Sequence, residues 1–189
     1  MVNGADILIA VGSNQPSGVG GARETVAAAL DLLVCEGAKI AARSRDYRTS
    51  AYPPGSGPDF VNAAAVLRWA LAPDAILVRL HRVEAALGRQ RQVRWGPRTV
   101  DLDLIAVGGA VLPDDAGHAF WRALPPERQA QDAPETLVLP HPRIQDRAFV
   151  LVPLADVAPG WVHPSLGLTV TEMLAALDPG DVADVRALD

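Results

Sequence analysis

Two aspartates, Asp101 and Asp103, stand two positions apart in the stretch of residues 100–104. Because side chains alternate along a β-strand, both carboxylates should point to one face and the intervening leucines to the other. Neighbouring carboxylates repel each other, and a divalent cation that prefers oxygen ligands, such as Mg²⁺, removes that repulsion. The pair could also share two metal ions. An isolated pair of this kind is more often the polar face of an edge strand. The neighbouring residues must therefore distinguish a metal site from a solvent-facing surface.

Four arginines lie within the ten residues 89–98, shortly before Asp101: Arg89, Arg91, Arg94 and Arg98. The surrounding glycines and proline predict a loop, in which these side chains can converge. A guanidinium group presents a planar fork of donors that suits phosphate oxygens. Arginines beside carboxylate-bound Mg²⁺ are the groups that a polyphosphate substrate requires. We therefore favour a phosphate site over a solvated run of charges.

Two further polar residues are candidates for ligand binding. Asn62 shares a strand face with Phe60, and its amide offers donors and an acceptor that suit the edge of a flat heterocycle. An amide turned toward solvent fits the local sequence equally well. His141 lies between two prolines, where it could donate to a phosphate or be an ordinary surface-loop histidine.

The elements that must position these residues follow in the order βαββαβ. We predict strands over residues 7–11, 40–47, 60–69 and 100–107, one helix that includes Val26 to Leu33 and stops at Gly37, and another from Pro73 to Gly88. This order matches the ferredoxin-like split βαβ arrangement of the α+β class. In it, helices cover one face of an antiparallel sheet and the other face stays available for ligands.

The remainder of the chain is less regular. Residues 113–136 read as an inserted loop, with Phe120 and Trp121 as candidate anchors. The apolar residues 148–156 are ambiguous in type. Thr169 and Glu172 have capping-box spacing, which predicts a last short helix.

Composition narrows the classes of function. The 189 residues suit a single domain, residues 1–189, and the net charge of −5 with a pI near 5.3 argues against binding to nucleic acids or anionic membranes. Cys35 is the only cysteine, which excludes an intramolecular disulfide, and we expect it to be buried in a helix. The early apolar run is too short for a signal peptide or a membrane span. We expect a cytoplasmic monomer.

In combination, these residues resemble the 6-hydroxymethyl-7,8-dihydropterin pyrophosphokinase family over residues 7 to about 164. The motifs that carry the resemblance are Val11-Gly12-Ser13-Asn14, Tyr47-Arg48-Thr49, residues 59–64, Gly88-Arg89-Gln90-Arg91, residues 94–103, Pro140-His141 and Arg147-Ala148-Phe149. The resemblance implies a three-layer α/β/α fold on a ferredoxin-like core. It also implies two Mg²⁺ ions and transfer of the terminal two phosphates of ATP to the pterin hydroxymethyl group, with AMP as the other product, in folate biosynthesis.

The same resemblance implies roles for individual residues. Asp101 and Asp103 would bind both metal ions, and Arg89 and Arg98 would act with them in catalysis. The implied nucleotide contacts are Glu84, Arg91, Arg98, His141 and Arg147. The pterin would stack between Phe60 and Phe149, with Asn62 and Thr49 at its polar edge and Trp95 closing the pocket. We hypothesise that Asp103 accepts the proton of the substrate hydroxyl.

Two other functions remain open at this point. One is an ordinary Mg²⁺-dependent kinase for a small alcohol, which would release ADP and not AMP. The other is a non-enzymatic ferredoxin-like binding module, for example for RNA. The aromatic content of 5% and the negative net charge argue against the second.

Overall fold

The computed structural model describes residues 5–51, 55, 57–89, 99–125, 128 and 132–189. Within these residues, six strands form one antiparallel sheet: β1 (Ile7–Ser13), β2 (Lys39–Arg43), β3 (Tyr47–Thr49), β4 (Phe60–Arg68), β5 (Asp101–Val107) and β6 (Arg186–Ala187). The strand order is β5-β1-β4-β3-β6, and β2 pairs with β4 as well. The central strand β1 therefore lies between β4 and β5, the strands that carry the candidate site residues.

Helices flank this sheet. Their bounds in the described part of the chain are α1 (Ala22–Cys35), α2 (Pro73–Ala86), α3 (Asp115–Ala123), α4 (Ala148–Val157), α5 (Val170–Ala175) and α6 (Pro179–Asp184), with a 3₁₀ turn at Ile144–Asp146. Pro73 occupies the first turn of α2, where its missing N–H costs no hydrogen bond. The capping box of Thr169 and Glu172 at the start of α5 confirms the predicted short helix.

Two apolar cores lie on opposite faces of the sheet. Ile9 and Leu67 pack with Leu30 of α1 and Leu80 of α2 in the first core. The second core joins Leu8, Val66 and Ile105 with α4 and α5, through Leu151, Leu154, Val170 and Met173. The α+β fold and its three layers are thus confirmed. The second face is available for ligands only at one end, because the apolar side chains on the rest of it require the cover of α4 and α5.

The predicted strand over residues 40–47 is two strands in the structure. Residues 44–46 interrupt it, because their polar groups form other contacts: the Ser44 hydroxyl accepts the Ala64 amide at 2.9 Å, and Asp46 accepts from Arg23 at 3.0 Å and Arg43 at 2.8 Å. Two of these partners, Ala64 and Arg23, are distant in the sequence, so the interruption could not be predicted from local alternation.

The segment predicted as an inserted loop contains helix α3. Asp114 caps this helix by accepting the Gly117 amide at 2.7 Å, and His118 is its buried residue. Phe120 is 59% exposed and is therefore not the anchor that the sequence suggested. The ambiguous residues 148–156 are helical as part of α4, and five of them are buried: Ala148, Val150, Leu151, Pro153 and Leu154.

Cys35 is the last residue of α1 and is exposed, so the expectation of a buried cysteine is wrong. The longest helices in the described ranges have 14 residues. Among these residues, no helix has both the length and the apolar character that crossing a bilayer requires.

A buried histidine makes the stability of the fold depend on pH. His163 has no exposed surface, and its Nδ1 accepts the amides of Ser165 at 3.2 Å and Leu166 at 3.3 Å. Burial, with smaller effects of His118 and Arg122, lowers its pKa from 6.5 to about 4. Between these values the unfolded chain binds a proton that the folded protein does not bind, which favours unfolding.

We therefore predict that the free energy of unfolding is fully retained above about pH 6.5 and decreases toward about pH 4. The expected slope from this residue is about 1.4 kcal/mol per pH unit. Urea unfolding at several pH values measures it, and His163→Gln should flatten the dependence. Parallel curves for the two proteins would contradict the prediction.

Candidate active site

The candidate site is built across the three strands β4, β1 and β5. Gly12 of β1 pairs with Asn62 on one side and Asp101 on the other, and Ala10 pairs with Ala64 and Asp103. Directly paired residues point to the same face of an antiparallel sheet. The small residues of β1 therefore form a low floor between the amide on β4 and the two carboxylates on β5.

Asp101 and Asp103 lie on one face of β5, as the alternation predicts, while Leu102 and Leu104 are buried in the first core. The aspartate side chains are 21% and 33% exposed. Arg89 Nη1 lies 2.6 Å from Asp101 Oδ1, and Arg147 Nη1 lies 3.6 Å from Asp103 Oδ2. Each carboxylate thus faces a guanidinium group.

Glu84 connects helix α2 to strand β5 beneath these groups. It is 2% exposed, its Oε1 accepts the Leu102 amide at 2.8 Å, and it also binds Arg89. A buried carboxylate requires such charged and backbone donors to offset its loss of hydration. Glu84 therefore holds Arg89 beside Asp101, and its predicted contact with the nucleoside stays a prediction.

A pocket of about 470 Å³ opens over this cluster, a volume typical of small-molecule sites. Its walls are formed by helix α2, Trp121 of α3, strand β5, residues 132–138, residues 141–143 and Arg147. Among the residues predicted to contact phosphates, Arg89, His141 and Arg147 line it, as do both aspartates and Glu84.

His141 is held in one neutral form. Its Nδ1 accepts the Arg143 amide at 3.1 Å, so the ring proton resides on Nε2. Burial, followed by the charges of Arg147 and Arg143, lowers its pKa to about 3. His141 can therefore donate a hydrogen bond in the pocket at neutral pH without carrying a positive charge. Of the two roles left open by the sequence, this geometry favours the ligand donor.

Of the residues predicted to bind a pterin, Phe60 and Asn62 lie on β4 and Thr49 lies on the neighbouring strand β3. Asn62 and Thr49 are buried, and Asn62 Nδ2 donates to Thr49 Oγ1 at 2.8 Å. Phe60 pairs with Thr49 across β4 and β3. Phe149 is 40% exposed, and the Arg147 guanidinium lies 5.6 Å from its ring centroid. The stacking slot between the two phenylalanines stays a prediction.

Three of the predicted site residues, Arg91, Trp95 and Arg98, lie outside the described residues. Their proposed contacts with phosphates and with the pterin therefore stay predictions.

The model of the family described as 7,8-dihydro-6-hydroxymethylpterin-pyrophosphokinase (HPPK) matches residues 8–159. This chain belongs to the HPPK family. A 2-amino-4-hydroxy-6-hydroxymethyldihydropteridine pyrophosphokinase of Methylorubrum extorquens is 40% identical over 90% of this chain and 94% of its own length. The enzyme of the same description in Pseudomonas aeruginosa is 37% identical over 90% of both chains. The resemblance inferred from the motifs is thus confirmed.

Solved structures of HPPK-DHPS proteins share the fold. One, described as a complex with substrates, has a TM-score of 0.63 at 11% identity and covers 91% of this chain and 45% of its own. Another, of wild-type Plasmodium falciparum HPPK-DHPS, has a TM-score of 0.61 at 14% identity and covers 92% and 44%. This chain thus spans less than half of each of those chains.

Ser13 and Asn14 were not among the residues predicted to form the HPPK site. The buried Ser13 hydroxyl donates to the Thr99 carbonyl at 2.6 Å, and Asn14 Nδ2 donates to the Pro58 carbonyl at 3.2 Å. They fix the chain segments that enter β5 and β4. The sequence feature that could have identified these two residues is the Gly12-Ser13-Asn14 turn directly after a buried strand. This turn contributed to the family resemblance, but no structural role was predicted for it.

Gly12 offers a specific test of the floor of the HPPK site. A Cβ atom at this position would lie 2.7 Å from Asn62 Oδ1, too close for the amide to keep its place. We predict that Gly12→Ala raises the KM for the pterin substrate about tenfold, because the displaced amide loses about 1.4 kcal/mol of hydrogen bonding.

Gly18→Ala is the matched control, because a Cβ at Gly18 meets nothing within 4 Å. Steady-state kinetics of both variants with ATP in excess separates the effects. An unchanged pterin KM in Gly12→Ala would show that the Asn62 amide does not bind this substrate.

Proposed function

We propose that this chain transfers pyrophosphate from ATP to the hydroxymethyl group of 6-hydroxymethyl-7,8-dihydropterin, which gives AMP and the pterin diphosphate for folate biosynthesis. Membership of the HPPK family supports this ATP-dependent diphosphotransferase reaction. The structural observation that carries the proposal is the meeting of Asp101, Asp103, Arg89, Arg147 and His141 around one pocket. The Asn62–Thr49 pair lies on the adjacent strands.

The donor set fits Mg²⁺ bound together with a polyphosphate. Among the described residues, no group of three or more His, Cys, Asp or Glu side chains forms a complete metal cage. Asp101 and Asp103 supply oxygen ligands and leave coordination positions for phosphate oxygens and water, which is the usual mode for Mg²⁺. We propose that these two aspartates would hold two ions, which would supply positive charge to neutralise the phosphates.

The phosphates of ATP would take the donors that now face the carboxylates. Arg89 and Arg147 present guanidinium groups at the pocket wall, and His141 adds a neutral donor. We extend the same role to Arg91 and Arg98 on the basis of their sequence positions. Glu84 keeps Arg89 in place, and we retain its proposed position near the nucleoside. These groups would align the phosphate chain with little covalent work by the protein.

The pterin would bind at the end of β3 and β4. The paired side chains of Asn62 and Thr49 offer donors and acceptors that complement the polar edge of the heterocycle. Phe60 and Phe149 would stack on its faces, and Trp95 would close the site. Arg147 contacts both Asp103 and the Phe149 ring, so it links the phosphate and pterin regions.

We further propose that Asp103 receives the proton when the hydroxyl oxygen attacks the β-phosphorus. Its side chain is 33% exposed and lies on the same face of the sheet as Asn62 and Gly12. A carboxylate there can reach a hydroxyl group held beside the phosphates. We also propose that the enzyme acts as a cytoplasmic monomer, which light scattering can test.

Nucleotide analysis separates this reaction from that of a small-alcohol kinase. After incubation with 6-hydroxymethyl-7,8-dihydropterin, ATP and Mg²⁺, the proposed reaction releases AMP in an amount equal to the pterin diphosphate. Release of ADP would identify a kinase and overturn the proposal.

The two aspartates provide the most direct test by mutation. We predict that Asp101→Asn and Asp103→Asn each lower kcat by at least about 100-fold, because neutral amides bind Mg²⁺ poorly and accept no proton. Asp6→Asn is the control, since Asp6 forms an exposed ion pair with Arg68 that is remote from the pocket lining. Normal turnover of Asp103→Asn at saturating Mg²⁺ would exclude Asp103 as the proton acceptor.

A further inference from the structure

Helix α3 contacts the chain just before His141 through its buried residue, His118. This residue has no exposed surface, and its Nε2 lies 3.1 Å from the carbonyl oxygen of Pro140. Its Nδ1 lies 3.3 Å from the hydroxyl of Ser165. The ring of His163, which is also buried, packs against it with 5.6 Å between the ring centroids.

The partners of His118 determine its tautomer. A carbonyl oxygen can only accept a hydrogen bond, so Nε2 must carry a proton. Burial lowers the pKa of His118, which disfavours a second proton on the ring. Nδ1 is then an acceptor for the Ser165 hydroxyl. The ring is thus a neutral donor aimed at Pro140 and oriented by Ser165.

The carbonyl that His118 holds belongs to the peptide unit between Pro140 and His141. The nitrogen of this peptide unit donates to the Ile105 carbonyl on β5 at 2.8 Å. One residue earlier, Leu139 pairs with Leu112 through two backbone hydrogen bonds of 2.8 and 3.2 Å. The peptide plane before His141 is therefore fixed at its nitrogen by the sheet and at its oxygen by His118.

We propose that His118 is a positioning residue for nucleotide binding: its hydrogen bond to Pro140 fixes the peptide plane from which the His141 ring enters the pocket. His141 lines the pocket, whereas His118 does not. This inference rests on the proposed role of His141 as a donor to the phosphates of ATP. It gives helix α3, in the segment predicted as an inserted loop, a function in substrate binding.

Two amide side chains of different length provide a matched test. The amide nitrogen of glutamine reaches the place of Nε2, whereas that of asparagine reaches only the place of Nδ1. We expect His118→Asn to raise the KM for ATP about tenfold, which corresponds to the loss of one buried hydrogen bond. His118→Gln should keep the ATP KM near that of the wild type. In both variants, kcat and the pterin KM should stay within about twofold.

Two further variants complete the experiment. Phe120→Ala alters an exposed side chain on the same helix and should leave both KM values unchanged. Ser165→Ala keeps the histidine but removes the group that orients it, and should raise the ATP KM about threefold. Thermal unfolding would report whether the His118 variants fold. If they do not, the ATP KM of Ser165→Ala tests the positioning role of His118.

The proposal is overturned if His118→Asn and His118→Gln give the same ATP KM, if Ser165→Ala leaves that KM unchanged, or if the pterin KM rises in parallel with it. A wild-type protein that forms no AMP would instead contradict the proposed reaction. In that case, the dissociation constant of a fluorescent ATP analogue, measured with the same variants, still tests the positioning role of His118.

Discussion

Repulsion between Asp101 and Asp103, relieved by Arg89 and Arg147, is the interaction on which the site depends. Two carboxylates on one face of a strand repel each other, and nearby positive charge relieves that repulsion. Arg89 and Arg147 supply this charge, and in the proposed reaction Mg²⁺ would take their place beside the carboxylates while the two arginines bind the phosphates. The buried Glu84 binds Arg89 and so keeps it within reach of the Asp101 carboxylate and of the proposed phosphates.

The helices that cover the sheet and the small residues of β1 determine the surroundings of these charged groups. Apolar side chains on the second face of the sheet bring α4 and α5 over most of it, and the polar residues occupy one end of that face. Gly12 and Ala10 keep the floor low between the two substrate regions. Arg147, which immediately precedes α4, contacts Asp103 and the Phe149 ring. The helix that covers the second core therefore also positions residues of the site.

The sequence pattern was sufficient to predict those elements whose conformation depends mainly on neighbouring residues. Strand alternation placed Asp101 and Asp103 together, and helical spacing of apolar residues located α1 and α2. Helix α3 was missed because its one buried residue is a histidine, whose partners Pro140 and Ser165 are far away in the sequence. The two-residue strand β6 depends on pairing with β3, which no local signal encodes. The roles of Arg91, Trp95 and Arg98 still rest on sequence alone.

The exchange of charge partners has one direct test, calorimetric titration of the protein with a non-hydrolysable ATP analogue in the presence and absence of Mg²⁺. Mg²⁺ bound to the two aspartates would free Arg89 and Arg147 for the phosphates. Phosphates bound to these arginines would in turn free the aspartates for Mg²⁺. Each ligand should therefore strengthen the binding of the other. The account predicts that saturating Mg²⁺ tightens the dissociation constant of the analogue by at least about tenfold, and that the analogue tightens Mg²⁺ binding by the same factor. Equal affinity for the analogue with and without Mg²⁺ would contradict it.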